Sequence, residues 1–346
     1  MAVLRGDALL DYAIWRPGLP DGVGDIHRGR IAAIMPAMGG AFVALAEGDG
    51  FLPDSEGAKG LTEGIVLRVR VTRAALGGKG PRLSARFTAQ EDFLAASGAV
   101  GLISRGAGAL ARFAAIFPEA AIVVDDPAVA ALVPRSCTIV AQAFDDDIES
   151  QVEALSAQTV TLPGGARLAI YPTPARVAID TDTGGRQDSQ VAVNRSVIPA
   201  LAREIRLRNL SGAIVVDLAG LPIRKRTSLG PAIASALADD PLKPRFLGFT
   251  ALGLAEILRT RIHPPLHELL AGPHAAGLVA LRQVVRDLDP DPRRLPALRA
   301  APSVVEALRR DPVALPDLAR RAGQNLMLRS DPSLAGSDWR LEQEHG

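Results

Sequence analysis

The chain has 346 residues and a formal net charge of +1, so no whole-protein basic field exists and any nucleic-acid role must rest on local patches. Hydrophobic residues make up 48%, enough for two or three compact units, while only 4% are aromatic, so Leu, Val, Ile and Ala must build the cores. The single cysteine, Cys137, excludes a disulfide framework or a multi-thiolate zinc site and suits a reducing, cytoplasmic setting.

The first twenty residues carry Asp7, Asp11 and two arginines and have no apolar signal core. The longest uncharged apolar run, Ile31 to Ala46, is broken by Pro36, Gly39 and Gly40 and is shorter than the roughly 18 residues a spanning helix needs. No membrane segment is expected. Residues 24–87 read as a small β barrel. Arg28 to Ile34 and Ala41 to Leu45 are strand candidates, and Gly48-Asp49-Gly50 signals a turn before Phe51 and Leu52. Ile65, Leu67, Val69 and Val71 alternate with Arg68 and Arg70, and Gly77-Gly78-Lys79-Gly80 reads as a flexible loop. Short strands between glycine turns suit a closed barrel of the OB kind. The same segment holds nine basic residues against six acidic ones, a modest local excess.

Further on, Ala120 to Val124 suggests a strand, Pro127 to Leu132 a short helix, and Asp146 to Leu155 a helix with acids in its first turn. Leu168 to Asp180 reads as two strands around Pro172-Thr173-Pro174. Ser196 to Leu207 reads as a helix with Val197, Leu201 and Ile205 at spacing four and Pro199 near its start. Ala213 to Leu218 has the apolar run of a strand buried on both faces. Leu229, Ile233 and Leu237 mark a helix, and Leu254, Ile257, Leu258 and Ile262 another. This alternation predicts an α/β core. Residues 273–346 read as short helices separated by prolines (Pro290, Pro292, Pro296, Pro302, Pro312 and Pro316), with about eight frayed residues at the end.

Two carboxylates end apolar strand candidates: Val177-Ala178-Ile179-Asp180, with Asp182 just beyond, and Ile214-Val215-Val216-Asp217. Ligands of α/β sheets gather at the carboxyl ends of strands. Acids converging there repel one another unless a cation lies between them, and magnesium prefers such oxygen ligands. Each aspartate read singly also suits a turn or a helix cap. Arg203, Arg206, Arg208, Arg224, Lys225 and Arg226 supply guanidinium and ammonium groups for phosphate, or else a solvated helix face. Phe42 and Phe51 serve either as stacking platforms for unpaired bases or as core residues. The histidines show no paired metal spacing, and neither a nucleophile elbow nor a phosphate-binding P-loop occurs.

These residues resemble the ribonuclease E/G family. Leu162-Pro163-Gly164-Gly165-Ala166-Arg167-Leu168 and the Ala178-Ile179-Asp180 step lead the series. Ile205-Arg206-Leu207-Arg208-Asn209-Leu210-Ser211-Gly212, the run into Asp217, and Gly248-Phe249-Thr250-Ala251-Leu252-Gly253-Leu254 follow in the family's order. Gly24-Asp25-Ile26-His27-Arg28-Gly29-Arg30-Ile31, Ala41-Phe42-Val43, Gly50-Phe51-Leu52-Pro53 and Gly78-Lys79-Gly80-Pro81-Arg82-Leu83 resemble its S1 RNA-binding domain. The likeness spans about residues 5–87 and 115–270, with a fainter echo at Ala301 to Leu308.

The resemblance implies an α/β (α+β) multi-subdomain protein. Its parts would be an RNase H-like subdomain (1–23 and 136–172), an inserted S1/OB β-barrel (24–87), a reduced sensor remnant (88–135), a DNase I-like catalytic subdomain (173–270) and a small C-terminal domain (271–346). It implies a magnesium-dependent endoribonuclease that cleaves single-stranded RNA to 5′-phosphate and 3′-hydroxyl ends. Asp180 and Asp217 would hold the metal, with Asp182 where the family usually has an orienting asparagine. Phe42, Phe51 and Lys79 fall on its RNA-contacting positions, and Arg206 and Arg208 are further expected RNA contacts. Three departures stand out. The sensor segment is too short to read a 5′-monophosphate, so weak or no 5′-end dependence is expected. Ala271-Gly272-Pro273-His274 replaces the paired-cysteine zinc link, so a monomer or weak dimer is expected rather than a zinc-linked oligomer. Gly220 stands where the family usually has a second aspartate. The competing expectations are an RNA-binding relative that has lost catalysis and a nuclease directed at DNA.

Overall fold

The computed structural model describes residues 1–88, 98–185, 189–288 and 295–342. Two compact units are present, one formed by Met1–Trp15 with Asp21–Pro265, the other by Arg16–Pro20 with Leu266–Gly346. No helix among the described residues is long and apolar enough to cross a membrane.

The first unit opens with a hairpin, β1 (Ala2–Arg5) and β2 (Ala8–Tyr12), and then enters a barrel of β3 (Ile26–Met35), β4 (Gly40–Leu45), β5 (Gly48–Pro53), β6 (Val66–Arg73) and β7 (Arg82–Ser84). The strands pair in the order β4-β5-β7-β6-β3, and β3 also pairs with β4, so the sheet closes and leaves no barrel edge. The β5–β7 pair is parallel and the rest antiparallel, the arrangement of an OB-type barrel. Ile31, Ala41, Val43, Leu52, Val69, Val71 and Leu83 fill it, as the alternation in the sequence predicts. The β4–β5 hairpin turn falls on Ala46 and Glu47, not on Gly48-Asp49-Gly50, which begin β5. The loop around Lys79 is a tight turn: Leu76 and Lys79 exchange backbone hydrogen bonds of 2.9 and 3.0 Å, with φ of 55° at Gly77 and 76° at Gly78. Left-handed backbone at two successive residues favours glycine at both.

Residues 88–135 contribute β8 (Gly101–Ser104), which pairs with β3, then α1 (Ala109–Ile116), β9 (Val123–Val124) and α2 (Pro127–Ala130). Residues 89–97 of that segment lie outside the described residues. Beyond it, β10 (Thr138–Ile139) runs parallel to β9, and α3 (Asp146–Ala154) is capped by the Asp145 carboxylate.

The central sheet has six strands in the order β11 (Thr159–Thr161), β12 (Arg167–Pro172), β13 (Val177–Asp182), β14 (Gly212–Asp217), β16 (Ala255–Arg259) and β15 (Arg245–Phe249). Only β13 and β14 are parallel. Their crossover is α4 (Gln190–Leu207), capped by Ser189; α5 (Ile223–Arg226) and α6 (Gly230–Leu237) follow β14. Val197, Leu201 and Ile205 of α4 join Ile179, Ile214, Val216, Ile233 and Ile257 in one core. Burying each such side chain contributes about 1.5–3 kcal/mol.

Four expectations are corrected here. The boundary between residues 172 and 173 falls inside a hairpin, since β12 pairs with β13 along its whole length. The α4 helix begins at Gln190, so Pro199 lies within it rather than near its start. Leu254 to Ile262 is not helical: β16 buries Ala255, Ile257 and Arg259 on one face at period two. The β14 strand is buried on one face only, with Ile214 and Val216 inside and Ala213 and Asp217 exposed.

The second unit has α7 (Leu266–Leu269), α8 (Gly272–Leu288), α9 (Pro302–Arg310) and α10 (Ala314–Ala322) around a sheet of β17 (Ala297–Ala300), β18 (Leu328–Ser330) and β19 (Trp339–Glu342). Part of the expected frayed end is therefore the strand β19, paired with β17. Pro290, Pro292 and residues 343–346 lie outside the described residues.

Candidate active site

Asp180 and Asp217 are direct register partners at the C-terminal ends of the parallel pair β13 and β14. Both project from the exposed face of the sheet, opposite the buried Ile179 and Val216. Adjacent strands stand roughly 4.8 Å apart, so the two carboxylates lie side by side. The sequence explains the placement: each apolar strand buries alternate residues against α4 and α6, and each ends on an aspartate in the exposed phase.

Two buried polar residues hold the turn after β14. The Thr181 hydroxyl donates to the Asp217 carbonyl at 2.9 Å and accepts from the Ala219 amide at 2.8 Å. The Asn194 amide, 1% exposed on α4, donates to the Ala219 carbonyl at 2.9 Å and to the Gln190 carbonyl at 2.7 Å. Gly220, at φ 60°, lies so close to Gln190 that a Cβ there would sit 2.9 Å from its Oε1. Sequence reasoning missed Thr181 and Asn194, because the contacts that hold the turn run to backbone groups of Asp217 and Ala219, 25 to 38 residues away, and carry no residue-type signal.

The two acids differ in surroundings. Among the described residues Asp180 has no hydrogen-bond or ion-pair partner. Asp217 is held through Oδ1 by Arg226 Nη1 at 2.6 Å; the arginine side chain is 14% exposed and the aspartate 51%. Arg226 also donates from Nε to the Leu221 carbonyl at 2.7 Å and from Nη1 to the Gly253 carbonyl at 3.0 Å. Gly253 has φ 82°, and a Cβ there would lie 3.1 Å from Arg226 Cδ. The Thr250 hydroxyl, accepting from the Leu252 and Leu254 amides, shapes the loop that presents that carbonyl.

Asp182 does not join the pair. Its Oδ1 accepts from the Gly184 amide at 2.9 Å and its Oδ2 lies 3.5 Å from Arg167 Nη2. It is used in a turn and a cross-strand ion pair, and so does not act as the orienting residue that the resemblance implied at this position. Among the described residues no group of three or more His, Cys, Asp or Glu residues could hold a metal. Two carboxylates still match what magnesium needs from a protein, because that ion keeps several waters and accepts substrate phosphate oxygens.

The expected RNA contacts divide in two. On the barrel, Phe42 and Phe51 are cross-strand partners on β4 and β5, both partly exposed, with ring centroids 5.6 Å apart at 69°. The Lys79 turn abuts β5 just ahead of Phe51: a Cβ on Gly80 would lie 1.9 Å from the Asp49 carbonyl, and the Phe51 amide donates to Pro81 at 2.9 Å. Lys79 itself is exposed. Arg206 and Arg208, by contrast, point inward. Arg206 donates from Nε and Nη2 to Asp11 Oδ2 at 3.1 and 2.8 Å. Arg208 pairs with the buried Glu204 at 2.9 Å and donates to the Ala157 and Ala154 carbonyls. Their guanidinium groups tie α4 to β2 and α3 and are not available to phosphate, so both are withdrawn as RNA contacts. Arg224 and Lys225, on the exposed side of α5, form no ion pair among the described residues.

An OB-type barrel joined to an α/β sheet with paired strand-end carboxylates defines the structural class. Residues 135–262 match the model of the ribonuclease E/G family. The chain is 28% identical to Ribonuclease G of Escherichia coli K12 over 183 residues, 47% of this chain and 37% of that protein. It is 34% identical to Ribonuclease E of Haemophilus influenzae over 128 residues, 35% of this chain and 14% of that protein. Ribonuclease G of Salmonella typhimurium is 27% identical over 207 residues, 54% of this chain and 42% of the relative. The likeness to the ribonuclease E/G family is carried by this segment, and the chain spans less than half the length of these relatives.

Proposed function

We propose that the protein is a magnesium-dependent endoribonuclease of RNA processing or decay, cutting single-stranded RNA to 5′-phosphate and 3′-hydroxyl ends. The observation that carries this reading is the Asp180–Asp217 register pair on an exposed sheet face. The match of residues 135–262 to the ribonuclease E/G model supports it, as does the OB-type barrel of the same unit, which fits the S1 RNA-binding role implied by the resemblance. The RNase H-like and DNase I-like subdomain assignments belong to the same proposal.

Within it, Asp180 and Asp217 supply the oxygens that hold the metal, and Thr181 and Asn194 fix the turn that presents Asp217. Bound magnesium would polarise a phosphoryl oxygen and assist formation of hydroxide from water. Arg224 and Lys225 draw the RNA backbone toward the acids, while Phe42 and Phe51 stack unpaired bases and Lys79 meets a phosphate. Incubating the purified protein with labelled single-stranded RNA, with and without magnesium, tests the reading; cleavage that needs the metal supports it.

A second reading, an RNA-binding family member without catalysis, draws on the Arg226–Asp217 ion pair and on Gly220 in place of a family acid. It predicts metal-independent RNA binding and no cleavage in the same assay.

A further inference from the structure

The Arg226 guanidinium is fixed from two sides before it reaches Asp217: the Leu221 and Gly253 carbonyls accept from it at 2.7 and 3.0 Å. The glycine at 253 leaves room for its chain. It is thus a built-in counter-ion rather than a surface arginine that happens to meet an acid. It engages only Oδ1 of Asp217. The second oxygen, Oδ2, forms no hydrogen bond or ion pair among the described residues, and neither does Asp180 alongside.

Charge arithmetic gives this arrangement a consequence. Asp180 and Asp217 contribute two negative charges and Arg226 one positive, leaving the centre at a net single negative charge. A divalent cation entering such a centre overshoots neutrality, and the excess positive charge is removed by a phosphate oxygen. Two acids without the arginine would be neutralised by the cation alone. We propose that Arg226 holds Asp217 in position and keeps the divalent-cation affinity of the centre low until an RNA phosphate arrives, so that cation and RNA load cooperatively. This rests on the nuclease reading given above and adds to it the order in which the site is filled. Coupling of this kind is reciprocal: whatever factor RNA adds to cation affinity, the cation adds to RNA affinity.

The experiment measures Mn²⁺ binding to the full chain by electron paramagnetic resonance, alone and with a single-stranded 2′-O-methyl oligonucleotide that resists cleavage. For the wild type, the oligonucleotide should tighten Mn²⁺ binding by roughly tenfold, within the usual range of coupling between sites. Arg226→Gln should tighten binding without oligonucleotide by a similar factor and shrink the coupling, while Arg226→Lys, which keeps the charge, should stay near the wild type. Thermal unfolding confirms that both variants fold, and Asp180→Asn reports whether the Mn²⁺ read is the one at this centre. Weaker or unchanged Mn²⁺ binding by Arg226→Gln, with Asp180-dependent binding intact in the wild type, overturns the proposal and leaves the nuclease reading standing. Absence of Asp180-dependent Mn²⁺ binding in the wild type, with and without oligonucleotide, overturns both.

Discussion

Phe42 and Phe51 meet edge to face across β4 and β5, beside the turn that carries Lys79, and together make the one aromatic pair of the described barrel strands. Stacking on such a platform contributes roughly 1–3 kcal/mol per base. Phe42→Ala and Phe51→Ala should each weaken single-stranded RNA binding on the order of tenfold, read by fluorescence anisotropy in EDTA. Because the rings touch, the double variant should lose less than the sum of the two.

Arg208 should matter for stability and not for RNA. Removing it leaves Glu204, with a side chain 4% exposed, without its closest cation and frees the carbonyls of Ala154 and Ala157. Arg208→Ala should cost about 3–5 kcal/mol in denaturant unfolding, the range for a broken buried pair. The RNA affinity of the folded variant should stay within about twofold of the wild type. A large affinity loss without destabilisation would restore Arg208 as an RNA contact.

Acid sensitivity should appear in the second unit through Asp331. The Ser333 hydroxyl and amide, with Arg299, hold its carboxyl well below the usual 3.8, at about 2, against a smaller opposing effect of burial. A depressed carboxylate stabilises the fold above its unfolded value and loses that contribution as pH falls through its folded value. The Asp331 contribution should therefore be complete above about pH 4 and fade toward pH 2, and Asp331→Asn should remove it. Carbon-detected carboxyl NMR across that range checks the value directly.

Most of the barrel was legible because its signals are local: glycine turns separate short runs in which apolar and basic residues alternate. The acid pair was legible for a related reason, since Val177-Ala178-Ile179-Asp180 and Ile214-Val215-Val216-Asp217 place their aspartates in the same phase of two apolar strands. What failed was long-range. The partner of Arg206 is Asp11, 195 positions away, and no residue pattern announces that contact. The β16 strand deceived because Leu254, Ile257, Leu258 and Ile262 mimic helical spacing, while its buried Arg259 pairs with the distant Asp240 at 2.7 Å. Arg226 was visible as a basic residue, but its seat depends on Gly253 across the sheet.

The resemblance implies a segment before residue 115 shorter than the family's sensor, and the proposed nuclease reading gives that a consequence for cleavage. Without room for a full 5′-sensor, RNAs ending in a 5′-phosphate and a 5′-hydroxyl should be cut at rates within about threefold of one another, far less than the roughly 5–150-fold typical of coupled sites. Matched single-turnover assays with the two substrates measure the ratio, and a large preference for the phosphate would contradict the expectation.

The most direct measurement is cleavage of a labelled single-stranded RNA by the wild type and by Asp217→Asn, in magnesium and in EDTA, with RNA binding measured in parallel. The account predicts magnesium-dependent cleavage by the wild type, a loss on the order of a hundredfold or more in the variant, and nearly unchanged binding. Equal cleavage by Asp217→Asn, or cleavage that persists in EDTA, would contradict it.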